Sequence, residues 1–240
     1  MRRLPRRTPA APASPPPRLT PPYEADSRQA IESLRRRPFI NLCGDYRFLR
    51  AGYWALVDAE LNGVASNPSP MQAVTAQNAV ACLLVARHAG IETVEWKVAK
   101  EPKDVEPPCL LVPCSGLTDA TYEVKSTRSR AAQWRSATQN GTRTALAVKL
   151  NGELRSMRMV VGVTAGDNYN LAWDVWRTFG VPLATIWTIE VKDPAAPNGT
   201  RDLFLGLDPL PLHQLSEREL RLYEDISQRP LAFDTHRGAE

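Results

Sequence analysis

Acidic and basic side chains near the middle of the chain have types and spacing that could hold a metal ion on a phosphodiester. Glu123 and Lys125 are two residues apart on a predicted strand, and Asp119 precedes Glu123 by four residues. Gln133 and Gln139 follow on a predicted helix. Two carboxylates can hold Mg²⁺ against a scissile phosphate while a lysine orients the attacking water. Asp119, Glu123 and Lys125 are therefore one candidate catalytic set.

This set resembles the D…ExK signature of magnesium-dependent nucleases, but its spacing argues against that chemistry. In the signature the aspartate usually lies further back, on a preceding strand, so that Glu101, Asp104 or Glu106 would replace Asp119. An ExK triplet also arises in any amphipathic strand, because residues i and i+2 share one face. A magnesium nuclease is retained as an alternative function, and a solvent-exposed strand is the structural interpretation.

Other residues that could bind metal or phosphate lack the necessary partners. The four cysteines form no CxxC pair and the chain has three histidines, a pattern that predicts buried free thiols rather than a zinc site. Residues 162–168 (GVTAGDN) form a glycine-rich turn before a predicted helix, where backbone N–H groups can hold an anion. The turn contains no lysine, and Asp167 would repel phosphate. We therefore predict that it caps the helix.

Hydrophobic periodicity predicts the elements that position these residues. Strands are predicted at the following ranges: 39–43, 91–99, 120–126, 182–191 and 203–208. Helices are predicted at the following ranges: 46–62, 71–88, 128–139, 168–179 and 217–228. The fold class predicted from this order is α/β, with a mixed sheet flanked by helices.

Local signals predict how these elements begin, end and connect. Asp45 is expected to cap the first helix, and Gly63 is expected to end it in the left-handed conformation. Asn151-Gly152 lies between two alternating apolar runs and predicts a two-residue β-hairpin. A Pro-Asn-Gly loop between the last two predicted strands predicts that they pair in a second hairpin. Ser216 and Glu219 have the spacing of a capping box at the start of the last helix.

Two blocks of the sequence carry a pattern that resembles a known domain. The first block contains Asn41-Leu42-Cys43, Tyr46, Leu49, Gly52-Tyr53, Leu56, Ala59-Glu60, Gly63 and Pro68-Ser69. The second, within residues 160–230, contains Phe179, Pro182-Leu183, Leu207, Pro209, Leu210 and Leu215. Together they resemble the N-terminal domain that precedes the catalytic core in RimK-like ATP-grasp ligases. Residues 76–158 match that domain poorly and are interpreted as an insertion.

The resemblance implies a substrate-binding surface but no catalysis by the chain alone. The residues it assigns to substrate binding are Asn41, Cys43, Tyr46, Gly52, Tyr53, Glu60, Pro68 and Ser69. An ATP-grasp ligase also needs a glycine-rich loop with lysines for the phosphates and a late acidic cluster for Mg²⁺, and we find neither in the sequence. The resemblance thus implies a non-catalytic accessory or substrate-positioning domain. ATP and Mg²⁺ would enter only through a separate ATP-grasp ligase partner, and the substrate would be a peptide or small molecule.

Geometry along the first predicted helix leaves two interpretations open. Tyr53 and Glu60 are two helical turns apart, so with Tyr46 they could line one pocket. Alternatively, the tyrosines are core or rim aromatics and Glu60 is an exposed helix acid. A protein-interaction module with a purely structural role is a further alternative for the whole chain.

The basic charge of the chain comes from its N-terminal residues. Residues 1–22 contain eight prolines, five arginines and no acid, whereas the whole chain has a formal net charge of +4. The remainder is close to neutral, which argues against nucleic acid as a partner. The composition predicts a disordered Pro/Arg-rich arm at 1–26, a domain at 27–230 and a flexible tail at 231–240. No apolar run could span a membrane and no signal peptide is present, so a cytoplasmic protein is expected.

Overall fold

The computed structural model describes residues 39–40, 44–114, 121–164, 169–196 and 199–228. This part of the chain contains six α-helices and two four-stranded antiparallel sheets, together with one short parallel strand pair. The predicted α/β class is confirmed. The predicted N-terminal arm and C-terminal tail lie outside the described residues.

The first helix, α1 (Ala51–Leu61), follows the short strand β1 (Phe39–Ile40). Its N-cap residue is Arg50, so the prediction that Asp45 caps it is wrong. A turn intervenes, in which the Arg50 N–H donates to the Arg47 carbonyl at 2.9 Å and delays the start of the helix. The predicted end is confirmed, because Gly63 follows the helix with φ +71°.

Two helices occupy the region predicted as a single helix at 71–88. After β2 (Ser66–Asn67), which pairs in parallel with β1, come α2 (Pro70–Gln77) and α3 (Ala79–His88). Asn78 is extended between them, at φ −88° and ψ 111°, and its side-chain oxygen accepts from the Ala81 N–H at 3.0 Å. An asparagine side chain competes with the helical backbone for such donors. The helix therefore breaks at Asn78 although the apolar periodicity of the sequence continues through it.

The first sheet has the strand order β8–β7–β9–β10. Its members are β7 (Glu153–Val160), β8 (Val163–Thr164), β9 (Leu183–Lys192) and β10 (Thr200–Pro209). The predicted pairing of the last two strands is confirmed, and a register shift interrupts it between Phe204 and Gly206. Helix α5 (Tyr169–Phe179) precedes β9, and α6 (Glu217–Gln228) follows β10 after a short 3₁₀ turn.

The second sheet is formed entirely by the middle of the chain, in the order β3–β6–β4–β5. Its strands are β3 (Trp96–Ala99), β4 (Cys109–Pro113), β5 (Tyr122–Val124) and β6 (Ala145–Lys149). Helix α4 (Thr127–Ala137) contacts β4 and β5. The region that matched poorly in sequence is therefore an ordered antiparallel sheet with its own helix.

The Asn151-Gly152 hairpin predicted between β6 and β7 is wrong, because these strands belong to different sheets. The dipeptide instead carries the chain from one sheet to the other. A Cβ added to Gly152 would lie 1.9 Å from the carbonyl oxygen of Glu190 on β9. Gly152 is needed here because only a residue without a side chain lets these two backbones approach so closely. Its role is therefore this close approach rather than a hairpin turn.

Residues 91–95 join the two sheets. The Phe204 N–H donates to the Glu92 carbonyl at 2.8 Å, and the Val94 N–H donates to the Phe204 carbonyl at 3.1 Å. One residue further on, the Lys149 N–H donates to the Glu95 carbonyl at 3.0 Å. This segment therefore pairs with the edge of the first sheet and then continues into the second.

Alternating residues of the second sheet divide between two hydrophobic cores. The main core takes four side chains that are 0–4% exposed, which are Leu110, Val112, Leu146 and Val148. It also contains buried residues of the first sheet and of α1, α2, α3 and α5. Cys109, Leu111, Ala145 and Ala147 lie on the other face and pack in a smaller core with Ala137 of α4. The main core thus includes residues of both sheets, and the smaller core packs on the other face of the second sheet.

Candidate functional site

Tyr46, a predicted substrate-binding residue, lies in the core. It is 1% exposed, and its hydroxyl donates to the Leu183 carbonyl at 2.7 Å. Burial, and secondarily the negative charge of Asp208, raises the pKa of Tyr46 well above its ordinary value. Nearby, a Cβ on Gly44 would lie 2.1 Å from the Leu210 carbonyl oxygen. These contacts fasten the first sequence block to the second.

Pro68 and Ser69 form a second contact between the blocks. Pro68 is buried, and Ser69 caps α2 in a capping box with Gln72. A Cβ on Gly180, which ends α5 at φ +62°, would lie 2.0 Å from the Asn67 side-chain oxygen. The loop before α2 therefore packs closely against the end of α5. Pro68 and Ser69 both belong to this loop.

Three further residues predicted to bind substrate, Gly52, Tyr53 and Glu60, lie on α1. Tyr53 is half-buried and Gly52 lies beside it at the start of α1, whereas Glu60 is exposed near the end of that helix. With Tyr46 buried and Glu60 facing solvent, these side chains share no surface. Asn41 and Cys43 lie outside the described residues.

The described members of the nuclease set and the acids that could complete it each have other partners in the structure. Lys125 Nζ lies 3.3 Å from Glu123 Oε2 on the exposed edge of β5, and Asp119 lies outside the described residues. Asp104 accepts from the backbone N–H groups of Lys100 and Glu101 at 3.0 and 2.9 Å.

The other two acids that could replace Asp119 each have a lysine partner. Glu101 lies 2.8 Å from Lys103, and Glu106 lies 2.5 Å from Lys97. Within the described ranges, no group of three or more Asp, Glu, His or Cys side chains could hold a metal ion.

A polar row that the sequence did not predict crosses three strands of the first sheet. Arg158 on β7 lies opposite Thr185 on β9, which lies opposite Asp208 on β10. Trp187, on the same face as Thr185, donates from Nε1 to Asp208 Oδ2 at 2.9 Å. Thr185, Trp187 and Asp208 are half-buried and Arg158 is exposed, so the row is accessible from solvent.

The start of α6 completes this polar row at its β7 end. Arg158 Nη1 lies 3.0 Å from Glu219 Oε2, and the hydroxyl and N–H of Ser216 donate to the same oxygen at 2.7 Å. Burial alone would raise the pKa of Glu219, but the Ser216 hydrogen bonds and the Arg158 charge outweigh it and lower that pKa. The predicted capping box is confirmed, and its glutamate also anchors the arginine. We define the polar row as Arg158, Thr185, Trp187, Asp208 and Glu219.

A cleft of about 810 Å³ opens where residues 91–95 join the sheets. Four glutamates line it, which are Glu92, Glu95, Glu153 and Glu190, together with Arg87, Lys192 and Arg201. Each of these glutamates has an ion-pair partner at 2.7–3.3 Å, which is Arg201, Lys149 or Arg155. Each glutamate of the cleft is therefore neutralised by a neighbouring basic side chain.

Comparisons with solved structures identify the fold. The chain is similar to a RimK-domain ATP-grasp protein from Sphaerobacter thermophilus, with TM-score 0.51, 14% identity, and coverage of 72% of this chain and 74% of that one. Two D-alanine–D-alanine ligases are similar with TM-score 0.50. The Coxiella burnetii enzyme is 13% identical over 71% of this chain and 58% of its own, and the Bacillus anthracis enzyme is 11% identical over 72% and 77%. No family model matches the chain, and no curated protein is significantly similar to it in sequence.

The chain therefore shares the fold of ATP-grasp proteins. The similarity extends over about three quarters of two of these proteins. It thus supports the ATP-grasp fold rather than a stand-alone N-terminal domain, and the predicted isolated domain is corrected accordingly. In the described part of the chain, no helix combines the length and apolar character that crossing a bilayer requires.

Proposed function

We propose that this chain is an ATP-grasp-fold protein that positions a substrate for a separate ATP-grasp ligase and does not itself activate that substrate with ATP. The fold similarity supports a place beside ligase chemistry. The substrate is a peptide or a small molecule. The polar row is the surface on which we propose it binds.

The observation that carries this proposal is the apolar face of the second sheet. An ATP-dependent ligase must hold a triphosphate with basic groups and Mg²⁺ with carboxylates. On β4 and β6 the side chains directed toward the main core are Leu110, Val112, Leu146 and Val148, which are nearly inaccessible. The core-facing side chains of both strands are therefore apolar and packed. Burying a phosphate against them without compensating partners would be strongly unfavourable.

The ion pairs that line the cleft at residues 91–95 also favour this proposal over nucleotide binding. Four glutamates and three basic residues line the cleft. Arg201 is already shared between Glu92 at 3.1 Å and Asp193 at 3.4 Å. A triphosphate would have to break these ion pairs before it could bind Arg201, and that cost disfavours nucleotide binding in the cleft.

The polar row has the donors and acceptors that substrate positioning requires. Arg158 offers guanidinium donors that match a carboxylate, and Thr185 and Asp208 accept hydrogen bonds. Glu219 holds Arg158 from the side and Trp187 holds Asp208, so both charged ends of the row are pre-oriented. A ligand with a carboxylate and an amine could engage the two ends at once.

The proposal is tested on the full chain by calorimetry and by co-purification. Titration with MgATP is expected to give no binding tighter than about 1 mM, and the chain alone is expected not to turn over ATP. An ATP-grasp ligase is expected to co-purify with the tagged chain from its native cell. Turnover of ATP by the pure chain, or the lack of any such ligase among its partners, would overturn the proposal.

A matched variant tests whether the polar row binds the substrate. The partner's substrate is expected to raise the Tm of the wild-type chain and not that of Asp208→Asn, which retains the shape of the row without its negative charge. Glu123→Ala is the control, because Glu123 lies on exposed β5 far along the other sheet. A purely structural interaction module would show no ligand-dependent shift in any of these variants.

A further inference from the structure

Three aromatic rings form an exposed cluster at the start of α1. Phe48 is 55% exposed and Trp54 is 52% exposed. Tyr53 lies between them, with ring centroids 5.2 Å from Phe48 and 5.6 Å from Trp54 and interplanar angles of 69° and 70°. Large adjacent aromatics open to solvent commonly mark an interaction site. We call Phe48, Tyr53 and Trp54 the aromatic face.

The aromatic face continues down α1 into an apolar and acidic stripe. Trp54, Asp58 and Leu61 follow at helical spacing, and Leu61 is 80% exposed. Neither Asp58 nor Glu60 has an ion-pair partner within the described ranges. Arg47 and Arg50 lie in the turn before the helix, on the N-terminal side of Trp54. A ligand lying along α1 from Trp54 would therefore meet aromatic rings first and then free carboxylates.

Residues 1–22 of the same chain have the chemistry that fits this surface. They contain eight prolines and five arginines. Proline-rich segments bind aromatic-lined surfaces in the polyproline II conformation, and they lose little conformational entropy on binding. Arginine stacks on aromatic rings and pairs with carboxylates. The segment thus supplies a complement both to the rings and to Asp58 and Glu60.

The position of β1 allows this contact. Strand β1 begins at Phe39 and pairs in parallel with β2, which itself contacts α1. The 16 residues between residue 22 and Phe39 would span roughly 50 Å if extended at about 3.1 Å per residue. Helix α1 has 11 residues and is thus about 16 Å long. The linker is therefore long enough for residues 1–22 to reach any point on α1.

We propose that residues 1–22 dock within the same molecule on the aromatic face and along the Trp54–Asp58–Leu61 stripe of α1. This contact is independent of the proposed substrate positioning.

Limited proteolysis of the full chain tests the docking, because trypsin cleaves the Arg18–Leu19 bond within the proposed segment. Cleavage at this bond is expected to be about tenfold faster in Trp54→Ala than in the wild type, as the loss of one aromatic contact predicts. Trp173→Ala is the control, since Trp173 is also exposed (47%) but lies on α5. Equal rates in the wild type and Trp54→Ala would refute the proposal. Should Trp54→Ala fail to fold, Phe48→Ser replaces it.

A second pair of variants separates docking from the intrinsic effect of proline on trypsin. Replacement of Pro15, Pro16 and Pro17 by alanine is expected to accelerate cleavage in the wild-type background and to have a much smaller effect in the Trp54→Ala background. An equal effect in both backgrounds would mean that the prolines do not contact the aromatic face. Protection that increases with protein concentration would assign the arm to a second copy and would contradict docking within one molecule.

Discussion

Replacing Tyr46 with phenylalanine should destabilise the fold without changing any surface. The substitution removes the hydroxyl that donates to the Leu183 carbonyl at 2.7 Å in a site that is 1% exposed. The carbonyl keeps one donor, the Leu210 N–H at 3.3 Å, so it is not left wholly unpaired. The free energy of unfolding is therefore expected to fall by about 1–1.5 kcal/mol. This is the lower part of the range for a buried polar group that loses a hydrogen-bond partner.

Urea unfolding of Tyr46→Phe, with Tyr53→Phe as the control, measures this loss. Tyr53 is half-buried and its hydroxyl has no hydrogen-bond partner in the described part of the chain, so its variant should cost less than about 0.5 kcal/mol. Equal unfolding free energies for the two variants would refute the conclusion that Tyr46 joins the two blocks.

The alkaline limb of the stability curve gives an independent check on Tyr46. Its folded-state pKa is raised by burial above the unfolded value of about 10. The unfolded state therefore loses the phenolic proton first, and the contribution of Tyr46 to stability is present below about pH 10 and declines as the pH rises further. The free energy of unfolding should fall more steeply above pH 10 for the wild type than for Tyr46→Phe. Parallel curves would contradict this assignment.

Three further substitutions test other parts of the fold. Gly152→Ala should cost more than about 2 kcal/mol in urea unfolding, because its Cβ would lie 1.9 Å from the Glu190 carbonyl oxygen; Gly63→Ala, where the added Cβ meets open space, is the control and should cost about 1 kcal/mol. Ser69→Ala should lower the free energy of unfolding by about 1 kcal/mol because it removes the N-cap of α2, and Ser69→Thr should retain most of that stability. Glu219→Gln should flatten the acid limb between about pH 5 and 3, because a lowered folded-state pKa contributes stability that is lost as the pH falls; an unchanged limb would contradict the Arg158–Glu219 contact.

Signals that act within a few residues were predictable from the sequence. Gly63 ends α1, Ser216 and Glu219 form the capping box, and β9 pairs with β10, each as local chemistry indicates. The errors arose where one local signal has two structural uses. Asn78 lies within an apolar period that looks continuous, yet its side chain caps a new helix. The glycine of Asn151-Gly152 serves the close approach to Glu190 rather than a hairpin.

The polar row was not predictable because it depends on a register shift. Up to Phe204, β10 pairs with β9 in one register, and after the shift the partner of Asp208 is Thr185. Without the extra residue at Leu205, Asp208 would lie opposite Ala184 and on the other face of the sheet. Amino-acid types and alternation do not reveal one additional residue in a ladder, so the face on which Asp208 lies had to come from the structure.

The residues that carry the sequence resemblance and those that form the polar row therefore have different roles. Tyr46 contacts Leu183, and the loop at Ser69 contacts Gly180, so these residues connect the two ends of the fold. Such positions are restricted by packing whatever ligand the protein binds, and they can preserve a recognisable pattern without binding anything. The polar row, in contrast, includes the exposed Arg158 and the half-buried Asp208, and it is the surface on which we propose that substrate binds. Variants of Asp208 and Arg158 should accordingly alter substrate response more than stability, and variants of Tyr46 should do the reverse.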